Sequence, residues 1–221
     1  MKKFLLLISL AIFLATGVYA QNGRTFRIGL TASPSVSWFT PETRYFVSEG
    51  NRIGFSYGLI GDFLLSDYYA ISTGLNISHF GGKLSFNDRK LQEITTVERT
   101  YKLQYLELPV TIKLSTPEIG YFTYFGRFGF APGVNLSAKA NDSFVVGNAY
   151  TEEVDIKGQT PLLRAALIVG LGAEYSLGGR LSLFGGLTYN NGFTNNLKGE
   201  VLDVKPSANA SFVMLNLGVM F

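Results

Sequence analysis

The sequence predicts an all-β fold: an eight-stranded antiparallel up-and-down transmembrane β-barrel with short periplasmic turns and long outer loops. Three observations predict it. Apolar residues recur at alternate positions along strand-like stretches, and the charges there fall on the other phase. After the first twenty residues no apolar run approaches the ~20 residues that a spanning helix needs, so only a closed barrel could satisfy its backbone in lipid. The links between stretches alternate short and long, as the turns and loops of bacterial barrels do.

The amino terminus sets the compartment. Lys2 and Lys3 precede an apolar run from Phe4 to Ala15, and Val18-Tyr19-Ala20 presents small residues where a signal peptidase reads. Residues 1–20 are expected to be a cleaved Sec-type signal, and 21–221 a single outer-membrane domain. Gln21 is not Cys, which argues against a lipid anchor. The formal charge is +3, and losing Lys2 and Lys3 brings it to +1. The high isoelectric point therefore owes much to the signal and gives no reason to expect nucleic acid. With Cys 0, stability must come from something other than disulfides, and a closed ladder supplies it.

The first strand is expected near Phe26–Phe39, with Phe26, Ile28, Leu30, Val36 and Trp38 on the lipid side and Arg27 inside. The second, near Arg52–Leu65, turns Ile53, Phe55, Tyr57, Leu59 and Phe63 outward and Asp62 inward. The third, near Tyr68–Phe80, turns out Tyr69, Ile71, Leu75 and Ile77. The fourth ends at Leu114, with Glu107, Thr111 and Lys113 inside. Its apolar phase is odd at Tyr101, Leu103 and Tyr105 and even from Leu106, so a bulge is expected near Tyr105, with the earlier residues also facing lipid. The fifth, near Tyr121–Ala138, carries Phe122, Tyr124, Phe128 and Phe130 outside and Arg127 inside. The sixth, near Leu163–Leu177, hides Arg164 and Glu174 and exposes Leu167, Leu171 and Tyr175. The seventh, near Arg180–Asn190, exposes Leu183 and Tyr189, with Arg180 assigned to the lumen. The eighth, near Phe212–Phe221, exposes Val213, Leu215, Leu217, Val219 and Phe221. Segments 40–51, 81–100, 139–161 and 191–211 are expected as outer loops. Pro34, Pro109 and Pro132 fall within strands, where a lost ladder bond predicts bends or bulges.

A cation facing lipid costs about 2–4 kcal/mol at the midplane. Arg27, Asp62, Glu107, Lys113, Arg127, Arg164, Glu174 and Arg180 are therefore expected as a lumen charge network. Eight strands leave an interior that side chains fill, so these charges must pair or stay hydrated. Folding the fourth and fifth strands about 115–120 predicts a Glu107–Arg127 pair. Trp38, Tyr57 and Tyr189 are expected to form an outer aromatic girdle, and Phe26, Tyr69, Phe122, Tyr175 and Phe221 an inner one.

Catalytic chemistry finds few residues. His79 is the single histidine, and its neighbour Ser78 points to the opposite face. A lipid-modifying enzyme, which needs a nucleophile beside its base, is therefore disfavoured. Asp142, Glu152, Glu153 and Asp155 could offer oxygens to a calcium ion, but their spacing matches no loop motif. The glycine-rich stretches 126–133 and 170–172 lack the Lys-Ser/Thr of a phosphate loop. No cofactor and no metal are expected. A lipocalin-like binder would need the reverse polarity, an apolar lumen in a polar shell. A narrow pore would need more room than eight strands leave.

Tyr105-Leu106-Glu107-Leu108-Pro109-Val110, followed by Lys113, resembles the "YLEIP" signature of the PorT-like outer-membrane barrel family of Bacteroidota. Gly126–Gly133 and Gly170–Tyr175 are similar too. The resemblance spans essentially the whole chain after the signal. From the residues themselves the barrel is expected to be non-enzymatic, monomeric and surrounded by outer-membrane lipids. The resemblance implies an outer-membrane barrel with four outer loops, in some relatives tied to a secretion or envelope complex. It also implies that Leu215, Leu217, Val219 and the terminal Phe221 serve as a signal to the barrel assembly machinery.

Overall fold

A computed structural model describes residues 26–44, 46–90, 93–144, 153–198 and 205–221. The expected signal peptide and its cleavage point lie outside the described residues. The strands are β1 (Phe26–Pro41), β2 (Val47–Gly50), β3 (Arg52–Leu64), β4 (Tyr69–Lys90), β5 (Glu93–Glu107), β6 (Val110–Ser115), β7 (Phe122–Phe144), β8 (Val154–Asp155), β9 (Leu163–Gly178), β10 (Leu181–Gly192) and β11 (Ala208–Met220). A 3₁₀ turn, Lys157–Gln159, follows β8. Among the described residues no helix is long and apolar enough to cross a membrane.

Every pairing is antiparallel, and the path β1–β3–β4–β5/β6–β7–β9–β10–β11 returns to β1, where Leu30 lies opposite Val219. Across the span the described ring closes without a free edge, which is what a bilayer demands. The ring has eight members. β5 and β6 are one strand to their neighbour, since Asn76↔Glu107 and Thr73↔Val110 keep one register along β4. They part at Leu108-Pro109 because Pro109 has no N–H to give the ladder. β2 and β8 are short additions at the end opposite the tight turns.

The turns at 65–68, 116–121 and 179–180 lie at one end, where Phe26 and Phe221 also sit. Gly178 and Gly179 hold φ of 99° and 65°, a left-handed pair that lets β9 and β10 reverse within two residues.

The lipid-facing band follows the alternation. On β4 it runs from Tyr69 to Ile77, about nine residues, which at a tilt near 40° cover roughly 23 Å of membrane. Leu59, Leu75, Phe128, Val169, Leu187 and Leu217 are all exposed around the ring at that height. β4 then continues to Lys90 and β7 to Phe144, so both stand well outside the membrane. Much of the segments expected as loops at 81–100 and 139–161 is therefore strand.

In that outer half the polarity inverts. Lys83, Asn87, Thr96, Glu98 and Lys139 are exposed on the outside. Phe39, Phe80, Leu84, Phe86, Val97, Tyr101, Leu103, Tyr105 and Phe212 are buried on the inside. Water surrounds this part of the barrel, so its apolar residues turn inward as in any soluble protein. Tyr101, Leu103 and Tyr105 were expected to face lipid, and they do not. Their strand keeps one phase throughout, and the change from odd to even apolar positions marks where lipid gives way to water.

A bulge does occur at this height, but on the neighbouring strand. Gln104 lies opposite Ser137 and Tyr105 opposite Asn135, leaving Leu136 unpaired in β7. The extra residue shifts the inward phase of β7 from Ala131 and Asn135 to Ala138 and Ala140. The three prolines cause no register shift: Pro34 stays opposite Phe55, and Pro132 opposite Ala165.

Candidate functional site: the lumen and its charge layers

The lumen of the membrane-embedded half is polar, and its charges sit in two layers. The lower layer lies near the tight turns. Lys113 on β6 donates to Asp62 of β3 at 2.6 Å and also to Glu174 of β9. Arg27 of β1 reaches Glu174 at 2.8 Å and Ser182 at 2.6 Å, and Ser72 donates to the second oxygen of Asp62. Four strands are cross-linked by two cations and two carboxylates. Each carboxylate oxygen has a donor, the condition under which buried charges do not cost more than they return.

The upper layer lies near the outer edge of the lipid band. Arg164 of β9 is fully buried. It donates to Glu107 at 2.5 Å, Asn190 at 2.7 Å and the carbonyl of Ala210 at 3.0 Å. Ser78 donates to the other Glu107 oxygen at 2.5 Å. The rings of Phe80 and Phe212 lie 4.7 and 5.3 Å from the guanidinium carbon. Arg164 thus joins the polar lumen below to the apolar core above, with its hydrogen bonds in the first and its faces against the second.

The expected Glu107–Arg127 pair does not form. The β6–β7 hairpin reverses about Gly120, with Ser115 opposite Phe125 and Lys113 opposite Arg127. Glu107 consequently faces Gly133, and Gly133 in turn faces Arg164 on β9. The missing side chain lets the cation reach across an entire strand. A Cβ on Gly133 would lie 3.2 Å from Cγ of Glu107. Arg127 instead donates to Thr188 at 3.0 Å and lies over Phe125 at 5.9 Å.

Arg180 was assigned to the lumen and is not there. It occupies the exposed β9–β10 turn, after the two left-handed glycines and before the ladder resumes at Leu181. The other seven charges of the expected network all point into the barrel.

Between the layers lies a cavity of about 50 Å³, lined by Ser33, Asn76, Arg127, Thr188 and Asn216 among others. The uncharged members of the network were missed by the sequence reading, which weighed only charges. Ser72, Ser78, Asn190 and Asn216 share the inward phase of their strands, and that parity was the available signal.

At the lipid boundaries, Trp38 and Tyr189 stack at 6.3 Å, and Tyr57 stacks on His79 at 6.1 Å. At the turn end, Phe26 meets Phe63 at 4.7 Å and Phe122 meets Tyr175 at 5.0 Å. Tyr69 and Phe221 are exposed beside them, and Tyr68 and Tyr121 add to this ring. Val219 is partly buried, while Leu217 and Leu215 are exposed on the lipid side.

His79 faces outward, and Ser78 faces inward onto Glu107. Of the acidic loop residues, Asp142 is held by Arg99 at 2.5 Å, and Asp155 accepts from the Lys157 amide at 2.8 Å. Glu153 bridges Lys102 and Lys139, at 2.6 Å each. These two hydrogen bonds, Lys102 first, bring the Glu153 carboxyl down to about 2. Glu152 lies outside the described residues. Among the described residues no group of acidic or histidine side chains is gathered as a metal site.

Among solved structures the chain is similar to Neisserial surface protein A, at 13% identity over 90% of this chain and 98% of that one, with a TM-score of 0.48. It is also similar to Ail, the attachment invasion locus protein of Yersinia pestis, in complex with the heparin analogue sucrose octasulfate (14% identity, 89% and 99% covered, TM-score 0.40). OprG from Pseudomonas aeruginosa is a third (14%, 89% and 95%, TM-score 0.41). No curated protein matches the chain. The family model described as outer membrane protein beta-barrel domain matches residues 19–198, from the end of the expected signal to the segment before β11. That match covers most of the sequence, and the chain belongs to the outer membrane protein beta-barrel domain family.

Proposed function

We propose that this protein is a non-enzymatic outer-membrane barrel with a closed lumen, which acts through the half that stands outside the membrane. One observation carries the reading. Arg164 and Glu107 span the lumen, and the core of Phe39, Phe80, Leu84, Leu103 and Phe212 fills the space above them. Such a plug leaves no open path for solutes among the described residues. Strands extended this far beyond the lipid, around a packed core, form a rigid platform that holds the outer loops and the polar exterior of β4, β5 and β7 at a fixed height. A partner protein or a glycan of the envelope, or a secretion complex, is the occupant this platform suits. The Tyr105-to-Pro109 sequence supports a place among PorT-like barrels.

A catalytic role has little to work with, because His79 and Ser78 face opposite sides of the wall. A lipocalin-like role would need an apolar lumen within the span, where this chain has Asp62, Lys113 and Glu174. In planar bilayers the purified barrel is expected to give no steady channels, while photo-crosslinkers at Asn87 or Glu98 on intact cells capture a defined surface partner. Large stable conductance with no such partner would overturn the reading.

Export through the amino-terminal signal and handling by the barrel assembly machinery belong to the same proposal. Deleting Phe221, whose amide donates to the Ile28 carbonyl at 2.7 Å and closes the ring, should lower the amount of heat-modifiable barrel in the outer membrane. Undiminished assembly would remove the terminal residue from the argument.

A further inference from the structure

The two charge layers are each balanced, and one cation is left over between them. Asp62 and Glu174 are matched by Lys113 and Arg27, and Glu107 by Arg164. Arg127 has no carboxylate partner among the described residues. Its Nη2 donates to Thr188, and its Nε is enclosed with no acceptor. Glu107 cannot turn to it, because both of its oxygens are held, one by Arg164 and one by Ser78. A half-buried guanidinium in the lumen without a counter-charge is costly wherever water does not reach it.

The surroundings of Arg127 are those of an anion site. It lines the cavity of about 50 Å³ between the layers. Thr188 Oγ1 already accepts from Arg127 and from Asn216 at 2.7 Å, so its own hydrogen is free to point into the cavity. Asn76 also lines the space, and its amide oxygen has no partner. Turning the amide over presents two N–H donors there instead. Gly170 keeps the wall behind Arg127 open: a Cβ there would lie 3.2 Å from the Arg127 Nε and 2.6 Å from Thr188 Oγ1.

We propose that this cavity binds one small inorganic anion, chloride or another halide, held by Arg127, Thr188 and Asn76 as the missing counter-charge of the lumen. A volume of about 50 Å³ holds roughly three or four waters. It therefore suits a monoatomic anion with one or two waters and excludes a sugar or a nucleotide. On the turn-end side a second cavity of about 10 Å³ adjoins Arg127, Lys113 and Glu174. The outer side is closed by Arg164 and the apolar core. The bound ion is structural: it removes the charge imbalance at the centre of the span and holds the lumen shut. This inference does not rest on what the outer loops bind.

The test uses the full barrel in detergent. Its thermal midpoint is compared in chloride and in gluconate at equal ionic strength, so that screening is constant. Chloride should raise the midpoint saturably, by about 3 °C or more once the site is filled, and Arg127→Gln should abolish the difference. Crystals soaked in bromide should show an anomalous peak at hydrogen-bond distance from the Arg127 guanidinium. Equal midpoints in the two salts, or a chloride effect that persists in Arg127→Gln, would overturn the site. If that variant does not assemble, the wild-type bromide peak decides: density at Arg127 supports the site, and peaks confined to the surface refute it.

Discussion

Arg164 is the residue on which the closed lumen turns. It is buried, its one charge partner among the described residues is Glu107, and it lies under two phenylalanine rings. Removing one member of a buried pair leaves the other uncompensated, at about 3–5 kcal/mol. Glu107→Ala alone should therefore lower the unfolding free energy of the refolded barrel, read from urea denaturation, by an amount of that order. The double change Glu107→Leu with Arg164→Met should recover most of the loss, because no orphan charge remains. A double variant less stable than the single one would show that the pair itself, and not charge balance, is what the lumen needs. The sequence made both residues visible as inward charges, through strand parity. It did not show which cation Glu107 meets. That depends on where the β6–β7 hairpin reverses, and a centre at Gly120 instead of Pro117, midway between Glu107 and Arg127, moves the opposite position from Arg127 to Gly133.

Among the elements, the inner halves of the strands were legible and the outer halves were not. Period-two alternation located all eight barrel strands and the tight turns, because lipid on one side and a polar lumen on the other give every residue one of two environments. Beyond His79 on β4 and Gln104 on β5 both environments change. Apolar residues there mean interior, so the rule that reads them as lipid-facing misplaces Tyr101, Leu103 and Tyr105 and turns a change of surroundings into a bulge in β5, whereas the bulge at this height is at Leu136 of β7. The outward charges fix the border. Lys102 and Lys139 lie opposite each other across β5 and β7, a repulsive placement. Glu153, just before β8, bridges both and fastens the β8 segment to the wall. Its carboxyl is depressed to about 2 by those contacts. The clamp is thus fully present above the ordinary carboxylate range, near 4.5, and is lost only as the pH falls through about 2. Carbon-detected NMR of the Glu153 carboxyl should give a titration midpoint near 2. A midpoint at the ordinary value would mean that β8 is not held this way.

Taken as one molecule, the protein is two stacked β-barrels sharing strands. The lower has lipid outside and charge inside, and the upper has water outside and an apolar core inside. The Arg164 layer is the plane where one gives way to the other. The upper half follows the rule of soluble proteins and the lower half its reverse. Single-cysteine labelling reads this arrangement most directly, and the absence of native cysteine makes each site clean. A lipid-phase maleimide probe should reach Leu75→Cys, Leu167→Cys and Leu217→Cys, while Lys83→Cys and Glu98→Cys react only with an aqueous reagent. Leu103→Cys and Phe212→Cys should resist both. Lipid-phase labelling of Leu103→Cys, or aqueous labelling of Leu167→Cys, would contradict the account.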